Sequence, residues 1–389
     1  MNRLVAQSLI KSVLKSNVTK NVSRSCASAA NKFKFYDPQE QQELGEKMPK
    51  SVMETYPLFR AAMLDIPEAE ECQDALNWYQ RCFDYIVPYG KRFRAKTVVH
   101  VFESIVQNPS YDDLIRAHAV GWATELLQAS FLIADDIVDN GTFRRGKASW
   151  HFNPDVGNIA VNDIQQLHTS AYRLIDKYCL GHPAHINVTM LMTETARQAT
   201  MGQSMDLMTM PPHGIVNYDL LRMDRLETIA KYKTSIYAFC HPVRHGLYLV
   251  GLDDPQLHKD VEEMLLPLGV FYQIQDDFID VFGTEAVSGK KGTDIQDGKC
   301  CWPIIRALEK ASPEQKKILK ENFGKPNNVC VEKVKAVMEA VGIREDYELY
   351  EANEYASLKK KIEVFGKKYP EVPSVIFDNY LDALFGRGQ

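Results

Sequence analysis

The chain has 389 residues, 45 % of them hydrophobic and 25 % charged, with a formal net charge of −5. By length alone two or three domains would be ordinary, and the near-balanced charge offers no footprint for a nucleic-acid partner. Apolar runs such as residues 264–272 stop short of the roughly 18 residues a bilayer span needs, so no integral membrane span is expected.

Residues 1–36 differ in kind from the rest. They carry Arg3, Lys11, Lys15, Lys20, Arg24, Lys32 and Lys34, several serines, and no acid before Asp37. Seven positive charges here, against −5 for the whole, leave −12 on the remainder. Leu4, Val5, Leu9, Ile10, Val13 and Leu14 line one face of a basic helix, and the Arg/Ser-rich, acid-free composition is that of a mitochondrial presequence. The expectation is a mitochondrial leader over 1–36 and one domain over 37–389, the alternative being a basic tail on a cytoplasmic protein.

Beyond residue 40 the apolar spacing is helical, as in Ile115, Ala119, Ala123, Leu126, Leu127, Phe131 and Ala134, or Met264, Leu265, Leu268, Phe271, Ile274 and Phe278. Turn formers separate these stretches at Gly141, 154–157, 181–183, 211–214, 251–255, Gly283 and 289–292. Alternating strands, linkers and short repeats are not evident, so the length prior gives way to one large all-α bundle. Eight cysteines lie at 26, 72, 82, 179, 240, 300, 301 and 330 without a CxxC pair; they read as reduced, buried thiols, not as zinc ligands or a disulfide framework.

Two clusters repeat the pattern Asp-Asp-x-x-Asp: Asp135, Asp136 and Asp139, then Asp276, Asp277 and Asp280. On a helix, residues four apart share a face, so Asp135 stands over Asp139 and Asp276 over Asp280, with the middle aspartate turned about 100° away. Stacked like charges at the end of an apolar helix make sense when a hard cation neutralises them. Magnesium fits best, several ions of it, with manganese as a substitute, because it takes oxygen ligands and shares its shell with phosphates. A single cluster would more often be a solvated acidic helix end; two matched copies can face each other across one cavity. Basic residues flank both: residues 90–94, Arg144 and Arg145, then Lys231, Lys233, Lys290 and Lys291. Arginine forks grip phosphate oxygens directly and aspartates grip them through metal, so the combination describes a site for diphosphates.

The ordered motifs Gly90-Lys91-Arg92-Phe93-Arg94, Glu125-Leu126-Leu127-Gln128, Asp135-Asp136-Ile137-Val138-Asp139, Arg144-Arg145-Gly146, Gly202-Gln203, Lys231-Tyr232-Lys233-Thr234, Gln273-Ile274-Gln275-Asp276-Asp277-Phe278-Ile279-Asp280 and Gly292-Thr293-Asp294-Ile295-Gln296-Asp297 resemble those of trans-isoprenyl diphosphate synthases, most closely the animal farnesyl diphosphate synthases. The resemblance spans roughly residues 50–380. It implies an all-α bundle of the isoprenoid synthase type with a central cavity, a homodimer, and magnesium dependence.

By the same resemblance, Asp135, Asp139 and Asp276 ligate magnesium, with Asp136, Asp277 and Asp280 ligating or supporting through water. Arg144, Lys233 and Lys290 hold the allylic diphosphate. Gly90, Lys91, Arg94, Gln128 and Arg145 bind isopentenyl diphosphate, the homoallylic partner. Lys233, Thr234 and Gln273 lie near the carbocation, and Gln203, Asp206 and Lys299 complete the shell. The reaction implied is ionisation of the allylic diphosphate, attack by the isopentenyl double bond, and proton loss.

Some positions depart from the family pattern. Ser130, followed by Phe131, stands where the animal enzymes carry a bulky aromatic, which implies a deeper chain-length pocket unless neighbours refill it. The tail Phe385-Gly386-Arg387-Gly388-Gln389 holds a single arginine, Gly298 precedes Lys299 where Asn is usual, and His168 replaces an acid. A terpene synthase derived from this scaffold is the competing enzyme reading, and a silent partner subunit the non-catalytic one. The isopentenyl-site set Lys91, Arg94, Gln128 and Arg145 favours the prenyltransferase.

Overall fold

The structure, a computed structural model, describes residues 48–209, 215–283 and 292–385. The basic leader, Lys290 and the tail 386–389 lie outside the described residues. The chain divides into two compact units, Met1–Met48 with Asp65–Gln73, and Pro49–Leu64 with Asp74–Gln389. Of the first, residues 66–72 form tight turns in which the Ile66 and Glu68 carbonyls accept from Ala69, Glu71 and Cys72.

The second unit is almost wholly helical. After a short 3-10 turn at Val52–Thr55 come α1 (Tyr56–Leu64), α2 (Gln73–Ile86), α3 (Phe93–Ile105) and α4 (Tyr111–Val138). A hairpin of β1 (Phe143–Arg144) and β2 (Lys147–Ala148) leads to α5 (Ala160–Cys179), α6 (His185–Leu207) and α7 (Met223–Ile229). A π-helical segment, Ala230–Cys240, runs into α8 (His241–Leu249), followed by α9 (Pro255–Phe282). The chain closes with α10 (Asp294–Asp297), α11 (Trp302–Lys310), α12 (Pro313–Asn322), α13 (Asn328–Ala340), α14 (Ile343–Lys368) and α15 (Val375–Phe385).

Local sequence accounts for the two longest elements. Ser110 accepts from the Asp113 N–H at the start of α4, with Asp112 and Asp113 in its first turn, and Asp254 accepts from Gln256 and Leu257 at the start of α9, where Pro255 needs no donor. Between residues 114 and 130 α4 is buried nearly all round, the pattern of a helix inside a bundle. It packs on α3 and α5, while α9 packs on the π segment and α14.

Two apolar clusters flank α9. One gathers Phe239, Val243, Leu265, Leu268 and Phe271 with Phe377, Tyr380 and Leu384 of α15; the other gathers Ile274, Trp302, Ile305, Phe323, Met338 and Tyr347. Among the described residues no helix is long and apolar enough to cross a membrane.

Candidate functional site

Both aspartate motifs sit at the C-terminal ends of 28-residue helices, Asp139 as the C-cap of α4 and Asp280 in the last turn of α9. The helix dipole makes a carboxylate unwelcome there, so each motif needs compensation. The first finds it in side-chain cations. Arg144 donates from Nε to Asp136 Oδ1 at 2.8 Å and from Nη2 to Asp135 Oδ2 at 2.9 Å. Lys233 Nζ lies 2.5 Å from Asp206 Oδ2 and 3.6 Å from Asp135 Oδ1, Gln203 donates to Asp135 at 3.3 Å, and Lys299 Nζ donates to Asp139 Oδ2 at 3.0 Å.

The hairpin aims the arginine. Phe143 pairs with Ala148 and Arg144 with Lys147, leaving Arg145 and Gly146 as a two-residue loop with both φ angles positive, 54° and 81°, the geometry that matches strand twist.

The second motif is compensated by peptide dipoles and amides. Asp277 accepts from the Trp302 N–H at 3.0 Å and from Gln273 Nε2 at 2.9 Å; Asp280 accepts from the N–H groups of Thr293 and Asp294 at 3.3 and 3.0 Å. These carboxylates cap the starts of α11 and α10, whose own N-cap residues, Cys301 and Thr293, supply no side-chain bond.

Two short chains of bonds join the motifs into one site. Lys299, bound to Asp139, donates its backbone N–H to the Asp294 carbonyl at 3.1 Å, and Asp294 donates to Asp280. Thr234, next to Lys233, donates to Gln273 Oε1 at 2.7 Å, and Gln273 reaches Asp277. Lys233 lies deep among the helices and still keeps 23 % of its side chain accessible, as a cleft wall does. Burial by itself would lower the Lys233 ammonium, and Asp206 and Asp135 more than reverse this, holding it above the ordinary lysine value; for Lys299 burial is likewise outweighed by Asp294, Asp139 and Asp206. Both are firm cations.

The π segment presents Lys233 and Thr234 because its two neighbours make room. A methyl group at Gly202 of α6 would sit 2.2 Å from the Lys233 nitrogen, and one at Gly269 of α9 2.3 Å from Ser235 Oγ. A π-helix is wider than an α-helix, and glycines on both flanks let the backbones touch.

A third group forms the corner beside the first motif. Arg94 stacks 4.3 Å over the Tyr237 ring, Tyr237 donates its hydroxyl to Gln128, and Phe131 meets Tyr237 edge-on at 5.5 Å. Arg145 donates to the carbonyls of Ile86 and Tyr89, its guanidinium lying against Gly90, where an added methyl would come within 2.6 Å of it. Lys91 is exposed.

Residues 76–341 match the polyprenyl synthetase family. The chain belongs to that family. Among its relatives are farnesyl pyrophosphate synthases of Mus musculus, 39 % identical over 79 % of this chain and 87 % of that protein, of Homo sapiens, 40 % over 77 % and 72 %, and of Saccharomyces cerevisiae, 38 % over 75 % and 83 %.

In this polyprenyl synthetase three of the expected site residues, Asp277, Asp136 and Ser130, are enclosed by their neighbours. Asp277, expected to ligate metal or support it through water, is 4 % exposed with its oxygens turned to Trp302 and Gln273; burial, with Asp294 adding to it, holds its carboxyl well above the usual range. Asp136, expected to ligate metal or support it through water and so to serve catalysis, is 2 % exposed beneath Arg144, whose guanidinium it holds. Ser130 has no accessible surface of its own, its hydroxyl turned back to the Leu127 carbonyl at 2.8 Å, while Phe131 after it is half-buried.

Proposed function

We propose that the protein is a farnesyl diphosphate synthase-like prenyltransferase, condensing isopentenyl diphosphate with dimethylallyl or geranyl diphosphate. The observation that carries this is the linked pair of acidic motifs, joined through Lys233–Thr234–Gln273 and through Lys299–Asp294, beside a basic corner in which Arg94 stacks on Tyr237 and Arg145 lies against Gly90, the neighbour of exposed Lys91. Two diphosphates would occupy the two places.

The residues present fit magnesium. The donor set is carboxylate oxygen, at helix ends where negative charge is unfavourable. Magnesium takes one or two carboxylates and completes its shell with water and phosphate. Asp135, Asp139 and Asp276, with Asp280 beside them, would hold it. When bound, it supplies Lewis-acid withdrawal of charge from the departing diphosphate.

Arg144, Lys233 and Lys299 would meet the same leaving group, leaving the carboxylates they now balance to the metal. The Thr234–Gln273 oxygens stand where an allylic cation can be stabilised, and the surrounding helices exclude water from it. Lys91, Arg94 and Arg145 hold the second diphosphate so that the isopentenyl double bond attacks, forming one carbon–carbon bond. A proton leaves the new chain for the released pyrophosphate, so no histidine base is required.

The test is incubation of protein lacking residues 1–36 with magnesium and dimethylallyl or geranyl diphosphate, with and without isopentenyl diphosphate. Longer diphosphates formed only with both substrates, identified before and after phosphatase, support the reading; a volatile terpene from one substrate overturns it in favour of a terpene synthase.

Two further readings belong to the same proposal. Ile186, Met190 and Met201 expose apolar surface on one face of α6, which supports a homodimer, tested by light scattering. The acid-free composition of residues 1–36 supports a mitochondrial leader, tested by import and cleavage of a fusion carrying that segment.

A further inference from the structure

The loop that carries Lys91 is organised from an unexpected direction. Arg92, the residue before α3, adopts the left-handed region at φ 52° and makes no capping bond with its side chain. A helix start leaves its first N–H groups in need of acceptors. Here one comes from across the bundle: Ala95 donates its N–H to Glu125 Oε1 at 3.2 Å, and Glu125, on α4, is 4 % exposed.

Two guanidinium groups share this corner, Arg92 buried within it and Arg145 at its exposed edge. Arg92 donates from Nη2 to the Pro88 carbonyl, while its Nε and Nη1 have no protein partner. Arg145 ties down the other side of the loop through Ile86 and Tyr89. Burial loosens the hold of each on its proton, and the Glu125 charge acts in the opposite sense on both, so a single acid lies within electrostatic reach of both. A carboxylate at a helix N-terminus is favoured by the dipole, and a buried charge pair left half-empty is strongly unfavourable.

We propose that Glu125 is a positioning residue for the homoallylic diphosphate: by capping α3 from α4 and balancing Arg92 and Arg145, it holds residues 88–94 in the conformation in which Lys91, Arg94 and Arg145 meet one diphosphate. This rests on the assignment of that corner to isopentenyl diphosphate. Glu125 touches no substrate. Its spacing from Gln128, three residues on, puts both on one helix face, one holding the loop and the other held by Tyr237.

Glu125→Gln keeps an oxygen for the Ala95 N–H and removes only the charge. Supporting residues of this kind change affinity by about 10- to 100-fold. The expected result is a KM for isopentenyl diphosphate raised by about tenfold or more, a KM for geranyl diphosphate close to that of the wild type, and partial recovery in Glu125→Asp. Arg92→Gln removes one of the two balanced cations and gives a second reading, in which the same KM rises alone, should Glu125→Gln fail to fold. Calorimetry with isopentenyl diphosphate as the sole ligand measures the same loss without turnover.

Unchanged isopentenyl affinity in both variants overturns the proposal, as does a parallel rise in both KM values with a falling thermal midpoint. A wild-type protein that forms no longer diphosphate from the two substrates defeats the functional reading itself; a wild type that does so while the variants keep their isopentenyl KM defeats only the role given to Glu125.

Discussion

The two aspartate motifs share a spelling and a helical address and are solvated by different means. Carboxylates of the first are answered by Arg144, Lys233 and Lys299, groups that can turn toward an incoming phosphate. Two carboxylates of the second are answered by the backbone of Trp302, Thr293 and Asp294, groups that stay where the fold puts them. The same five-residue pattern thus serves as an adjustable electrostatic wall on α4 and as a joint between α9 and the helices that follow it.

The largest effect is expected where adjustable charge meets chemistry. Asp135→Asn removes an anion that Arg144 and Lys233 share and leaves the cleft with surplus positive charge. Loss of one preorganised charged group at a reacting centre costs on the order of 10³-fold in kcat. Steady-state assays across a magnesium titration check this; an Asp135→Asn enzyme with a tenth or more of wild-type kcat, by the same rough scale, breaks the contrast.

In the second motif the middle aspartate is tied to the fold by the Trp302 N–H and the Gln273 amide. Asp277→Ala strands the Trp302 N–H and the Gln273 amide in a buried place, at a cost of about 3 kcal/mol. Denaturant titration reads it as a shifted midpoint. A variant with normal stability and absent turnover would show that Asp277 acts on substrate after all.

The contrast also marks what the sequence makes legible. Apolar spacing of 3.6 and two Asp-Asp-x-x-Asp signatures are local, so the all-α fold and both acidic ends could be read directly. The partners could not. Lys299 meets Asp139 across 160 positions, and the caps on α3 and α11 come from Glu125 and Asp277 on other helices. The π segment has no signature in its own residues, because the room for it is made by Gly202 and Gly269 elsewhere. Glu125 and Gln128 share the Glu-Leu-Leu-Gln motif and are both buried; the bond Glu125 accepts from the Ala95 N–H at the start of α3 is what separates the two.

Ser130 is the position where volume was expected to be missing. With no accessible surface on Ser130 itself, Ser130→Phe overpacks α4 and is expected to cost about 2 kcal/mol in stability, with product chain length unchanged in mass spectra. A shortened product would place the substrate tail against residue 130 and restore the pocket argument.

The smallest effect separates the two long helices by pH. Each buries a histidine, His118 on α4 and His258 on α9, and burial depresses both to about 4. The unfolded chain titrates its histidines near the ordinary value of about 6.5. A histidine lowered in the fold is neutral there, so its contribution is fully present above the unfolded value and is lost as pH falls from about 6.5 toward 4. His258 differs from His118 in having a carbonyl partner: its Nε2–H donates to the Leu252 carbonyl at 2.8 Å. Glutamine carries an amide donor that can take over that bond and cannot be protonated. His258→Gln should therefore lose about 2 kcal/mol less stability than the wild type between pH 7 and pH 5, read from urea midpoints at the two values. His118, whose Nδ1 faces the Thr55 hydroxyl at 3.4 Å, would continue to titrate, so the variant keeps a residual slope; a slope unchanged by His258→Gln would mean that α9 opens before its histidine charges.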